Sequence, residues 1–113
     1  MEQPVRMPLE GIRVLDLTIW VQGPLASMML ADLGAEVIKI EKPGQGDFAR
    51  GAVSMFGQPQ QFADGRSLMF EIVNRNKKAA AIDLRQPEGQ QVFYRLVATV
   101  SYTHLTLPTK RIV

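Results

Sequence analysis

The stretch from Arg13 to Glu41 constrains the fold more than any other. RVLDLT, residues 13–18, alternates and is rich in Val and Leu, and it reads as a strand. Ile19–Gly23 reads as a turn. PLASMMLADL, residues 24–33, opens on a proline, which suits a first helical position, and stops at Gly34. It carries Leu25, Met28, Met29 and Leu33 at helical spacing, which predicts a face packed into the core. EVIKIE, residues 36–41, reads as a second strand. A strand, a helix and a strand with short joints form a βαβ unit, which implies a parallel pair and a right-handed crossover. The expected class is α/β, a Rossmann-like parallel arrangement.

Past Glu41 the pattern breaks. Lys42-Pro43-Gly44-Gln45-Gly46-Asp47 ends an apolar strand in charge and glycine, and strand ends of that kind in α/β folds are where ligands sit. Pro43 to Gly65 shows no regular period, and an irregular stretch of this length is usually functional or lies against another chain. Ser67–Val73 is ambiguous between a short helix and a strand. Ala79–Leu84 reads as a third strand. Pro87 opens a helix whose apolar face holds Val92, Phe93 and Leu96. Lys39, Lys77 and Lys78 read as solvated surface charges, Asp16 as a hydrogen-bonded structural acid, and Asp47 with Arg50 as a local pair.

A strand–helix–strand with Glu41 closing its second strand invites a dinucleotide reading. The first turn argues against it. TIWVQGPLAS holds one glycine, Gly23, followed by a proline that removes an N–H from the helix start, and Trp20 adds bulk where a pyrophosphate needs close backbone approach.

Two blocks point elsewhere. LEGIRVLDLT…GP…MMLADLGAEVIKIEKPGQGDFAR, followed by NRNKKAAAIDLRQPEGQQVFYRLVA, resembles the N-terminus of the family III CoA-transferases, a family that takes in formyl-CoA transferase, carnitine CoA-transferase and α-methylacyl-CoA racemase. The resemblance covers nearly all of residues 9–98. It implies an acyl-CoA:carboxylate CoA-transferase of which this is the CoA-binding portion. A racemase-type enzyme or a non-enzymatic α/β binding module is the alternative. It implies CoA or acyl-CoA as substrate and no prosthetic group, a free carboxylate as the other substrate, a homodimer of interlocked chains, and a cytoplasmic setting. Val21 and Gln22, in the turn after the first strand, are implied to face the CoA and the acyl group. Lys42 is implied to stand near the nucleotide end, where some members carry arginine. Ile82, Asp83, Leu84 and Arg85 are implied to meet the adenosine portion. Two cations at strand ends suit phosphates, and two aliphatic side chains suit adenine. Gln22 directly precedes Gly23, with Val21 where the formyl transferase has its functional glutamine, so formyl and oxalate specificity does not follow. Members use an aspartate nucleophile or a histidine–aspartate pair. Neither set matches any residue before Val100, so no catalytic residue is assigned and no metal site is expected.

The run VSYTHLTLPTKRIV, residues 100–113, continues no helical or alternating period, and it resembles the translation of a transposase-type sequencing adapter. Residues 1–99 are therefore expected to be the genuine N-terminal part of a longer domain, and residues 100–113 a non-native tail. His104, the single histidine, leaves the candidate list. Of 13 basic residues, Lys110 and Arg111 fall in the tail, which leaves basic and acidic residues in balance and gives no argument for nucleic-acid binding. With no cysteine there is neither a disulfide frame nor thiolate chemistry. No membrane segment is expected.

Overall fold

The computed structural model describes residues 4–100 and the backbone of residues 102–104. Its centre is a parallel sheet of four strands: β1 (Arg13–Asp16), β2 (Glu36–Glu41), β5 (Lys77–Ala81) and β6 (Tyr102–His104), in the spatial order β5-β2-β1-β6. Between them lie α1 (Gln22–Asp32), a 3₁₀ turn (Phe48–Gly51), a small hairpin of β3 (Ser54–Met55) and β4 (Gln58–Pro59), α2 (Leu68–Glu71) and α3 (Pro87–Val97). Numbered within the sheet, the order is 3-2-1-4, as in a dinucleotide-binding half, and the direction of winding reverses between β1 and β6.

The reversal puts helices on both faces. On one face Val14 and Val37 pack with Ala31 of α1 and with Ala35, joined by Leu9 and Leu30. On the other, Leu15, Leu17 and Ile40 pack with Phe93 and Leu96 of α3 and with Ile82 and Leu84 of the loop before it. Covered on both sides, β1 buries Val14, Leu15 and Asp16 alike, so the alternation read from the sequence does not separate a wet face from a dry one. Gly34 takes φ of 104° just past α1, and a Cβ there would lie 2.3 Å from Met7 Cβ. Only glycine lets the chain turn into β2 at that point.

Several expectations change. Helix α1 begins at Gln22, so Pro24 is its third residue. Of Leu25, Met28, Met29 and Leu33, only Met28 is buried; the other three, with Val21, form an exposed stripe four residues apart. The third strand of the parallel sheet along the chain is β5, Lys77–Ala81, shifted from 79–84. Its partner β2 ends at Glu41, and the Asp83 side chain then takes the Arg85 N–H in a turn. The irregular stretch after Pro43 contains the 3₁₀ turn and the hairpin, whose tip, Phe56-Gly57, has positive φ at both residues. Ser67–Val73 resolves as a one-turn helix, with the Ser67 hydroxyl accepting from the Phe70 N–H. The backbone of 102–104, in the tail set apart above, lies parallel to β1; the side chains of 102–104, and residues 101 and 105–113 altogether, lie outside the described residues. No helix among the described residues is long and apolar enough to cross a membrane.

Candidate functional site

The carboxyl ends of β1 and β2 carry a cluster of charge that is sealed from water. The side chains of Lys39 and Lys77 are each 2% exposed and those of Asp47 and Asp16 are 0% exposed. Lys77 Nζ donates to Asp16 Oδ2 at 2.9 Å, to the Pro24 carbonyl at 2.9 Å and to Asn74 Oδ1 at 2.8 Å. Ser27 Oγ donates to the same Asp16 oxygen at 2.6 Å, and Thr18 gives Asp16 Oδ1 both its N–H and its hydroxyl. Burial by itself would raise the Asp16 pKa. Lys77, the two hydroxyls and the more distant Lys39 outweigh it and hold the carboxyl below its ordinary value. Burial draws the Lys77 ammonium below the usual lysine range, and Asp16 opposes it.

Lys39 extends the cluster to the next loop. Its Nζ donates to the Thr18 carbonyl at 2.9 Å and stands 2.8 Å from Asp47 Oδ2. That oxygen takes no aligned hydrogen bond and is balanced by the lysine charge. Asp47 Oδ1 accepts the N–H of Ala49 at 2.9 Å, capping the 3₁₀ turn, and the N–H of Trp20 at 3.1 Å. The Asp47 N–H donates to Glu41 Oε1 at 3.0 Å, and Arg50 grips both oxygens of Glu41 at 2.7 and 2.8 Å while lying 3.8 Å over the Phe70 ring. Burial would raise the Glu41 pKa, but Arg50 and the Asp47 N–H lower it. Lys39 and Lys77 are thus not surface charges, and Asp47 and Arg50 do not pair: each takes a partner from the sheet. Asp16 is the hydrogen-bonded structural acid that the sequence suggested.

On the other face of the sheet, the face that α3 covers, a cleft of about 510 Å³ opens at the ends of β2 and β5. Leu17, Ile19 and Ile40 form its apolar floor; Glu41, Lys42 and the run Ile82-Asp83-Leu84-Arg85 form its rim. Five residues singled out from the sequence, Lys42, Ile82, Asp83, Leu84 and Arg85, therefore come together around one cavity. Val21 and Gln22 do not line it; they stand exposed at the start of α1. Arg85 is not free: its Nε and Nη2 hold Asp83 at 3.0 and 3.1 Å, an exposed pair that lowers the Asp83 pKa and raises that of Arg85.

Gly89 shapes the rim and was missed in the sequence. A Cβ at that position would sit 1.9 Å from the Asp83 carbonyl oxygen, so only glycine lets the first turn of α3 press against the Ile82–Arg85 run. The helix signal around Pro87-Glu88-Gly89 was legible, but the close approach was not. Among the described residues, no three histidine, cysteine, aspartate or glutamate side chains gather as a metal site.

Comparison with known proteins agrees on one family. Residues 9–101 match the profile of CoA-transferase family III. The chain is 48% identical over 91 residues to succinyl-CoA:glutarate CoA-transferase of Mus musculus, an overlap of 80% of this chain and 20% of that protein. It is 46% identical over 99 residues to succinyl-CoA–D-citramalate CoA-transferase of Chloroflexus aurantiacus, covering 88% of this chain and 23% of the relative. The fold superposes with a TM-score of 0.73 and 40% identity on a crystal structure of a hypothetical protein from Mycobacterium tuberculosis, over 87% of this chain and 25% of the other. A CAIB/BAIF family protein from Brucella suis gives a TM-score of 0.72 at 33% identity. The chain thus spans roughly a fifth to a quarter of the length of these relatives.

Proposed function

Because the chain belongs to CoA-transferase family III, we propose that it is the N-terminal, CoA-binding portion of an acyl-CoA:carboxylate CoA-transferase. The cleft carries this reading. Five residues chosen for CoA contact from the sequence surround one cavity at the carboxyl ends of parallel strands, where α/β sheets receive ligands. Lys42 and Arg85 supply positive charge for the phosphates, with Arg85 exchanging Asp83 for a phosphate oxygen. Ile82 and Leu84 offer the adenine an apolar surface. Val21 and Gln22, exposed at the start of α1, lie toward the thioester end.

CoA is a substrate in this scheme, with no prosthetic group. The parent protein would act on an acyl-CoA and a free carboxylate, as a cytoplasmic homodimer. The reacting carboxylate lies outside residues 4–100, so the chain alone should bind CoA and turn nothing over. Calorimetry is the direct test. CoA should bind the chain, and Arg85→Ala should weaken it; equal affinity in the two proteins removes Arg85 from the site.

Residues 100–113 we take to be a non-native tail. The family match ending at residue 101 supports this. Amplifying the source locus across the codons for Leu96–Thr103 decides it: a native gene encoding VSYTHL restores His104 as a candidate.

A further inference from the structure

Trp20 and Phe48 are an anomaly that the cleft does not absorb. Their rings stack with centroids 5.9 Å apart and planes inclined by 19°, yet Trp20 is 46% and Phe48 56% exposed. Trp20 also holds φ of 70°, a left-handed conformation that is costly for a bulky residue. Strain of that kind persists only where its surroundings enforce it. Here the enforcement is visible: the Trp20 N–H is fixed by the buried Asp47 carboxylate, which is balanced by buried Lys39, and Phe48 is the residue after Asp47. One carboxylate therefore sets both rings. The rings do not line the cleft, but residues tied to them do. Ile19, before Trp20, lines it, and so does Glu41, which accepts the Asp47 N–H.

We propose that Trp20 and Phe48 form an apolar wall for the pantetheine arm and uncharged acyl group of a thioester, with Lys39 and Asp47 as the positioning residues behind it. This rests on the reading that the cleft binds CoA. The chemistry of the wall selects its occupant. The cations Lys42 and Arg85 belong to the cleft's own rim, which assigns the phosphates there. The two rings already close on one another and leave no slot between them for a base, so they present one continuous apolar surface. A flexible chain of methylenes and amides can lie along such a surface without prising it open.

The single tryptophan makes the test direct, because the emission of the chain is that of Trp20. The chain is titrated with butyryl-CoA, with CoA and with adenosine 3′,5′-bisphosphate, which lacks the arm, while emission and binding heat are followed together. Butyryl-CoA and CoA should change the emission; the bisphosphate should release heat and leave emission unchanged. Trp20→Leu should weaken butyryl-CoA roughly two- to ten-fold, the range of an aromatic contact, and leave the bisphosphate affinity unaltered. Phe48→Leu should do the same to a smaller extent and keeps the fluorophore, so the measurement survives if Trp20→Leu does not fold. Butyryl-CoA binding by heat with unchanged emission overturns the wall. An emission change with the bisphosphate alone gives the rings to the adenine and also overturns it. No heat with any of the three ligands defeats the CoA reading itself.

Discussion

Lys39 and Asp47 stand 2.8 Å apart with side chains 2% and 0% exposed, whereas Asp83 and Arg85 stand 3.0 Å apart with the arginine side chain 75% exposed. Only the second pair lines the cleft, and water separates their roles. A buried pair has no solvent to return to, so losing one partner strands the other. An exposed pair is held weakly and can trade partners at little cost. The first arrangement fixes a turn; the second keeps a cation on offer to a ligand. The Asp16–Lys77 pair behaves as the first kind, its side chains enclosed to the same degree.

The largest effect should come from removing Asp16, the buried carboxylate that accepts from Thr18, Ser27 and Lys77. Asp16→Ala leaves Lys77 charged and enclosed, and it should cost about 3–5 kcal/mol of stability, enough to abolish cooperative urea unfolding in a chain this small. A urea midpoint within scatter of the parent would mean that water reaches the cluster. Lys39→Met should cost toward the lower end of about 3–5 kcal/mol and also move Trp20 emission to longer wavelength, since the turn loses the counter-charge that holds Asp47. Unchanged emission would separate the ion pair from the aromatic wall.

Acid should act through the buried carboxylates. The folded pKa of Asp16 lies below its unfolded value of 3.8, so its contribution is complete above that value and is lost as pH falls through the folded pKa. The melting temperature should therefore hold from neutrality down to about pH 5 and drop below it. Asp16→Asn, if folded, should flatten that drop. The exposed pair should give the smallest change in stability and its main effect in binding. Arg85→Ala should leave the melting temperature unaltered and weaken CoA roughly ten- to a hundred-fold, as for a hydrogen bond to a charged group. Asp83→Asn should release Arg85 and tighten CoA slightly; weaker binding would show that Asp83 itself holds the ligand.

The same division explains what the sequence disclosed. Strand β2 was legible to the residue because its apolar run is bounded by glutamates, and the rim residues followed from family motifs that keep their spacing. The buried lysines were not legible. A lysine in EVIKIE or NRNKK is usually a surface charge, and only the three-dimensional approach of Asp16, Asp47 and the Thr18 and Pro24 carbonyls makes enclosure tolerable for Lys39 and Lys77. The exposed stripe of α1 was misread for the opposite reason. Leu25, Met29 and Leu33 carry the spacing of a core face, but periodicity does not say which of two apolar faces meets the sheet.

Strand order also sets a timetable for synthesis. In this chain β1 pairs with β2 soon after both emerge, but its other edge is filled only by Tyr102–His104, within the segment taken above as a non-native tail and roughly ninety residues after Val14. At translation rates of about 5–20 residues per second, that edge stands open for something like 4–18 s. An unpaired parallel edge is an invitation to misassociation in that interval, and the exposed stripe of α1 adds a second adhesive surface nearby. The yield of this chain on expression should thus depend on how quickly the segment after α3 is delivered, and on chaperones that shield the edge until it arrives.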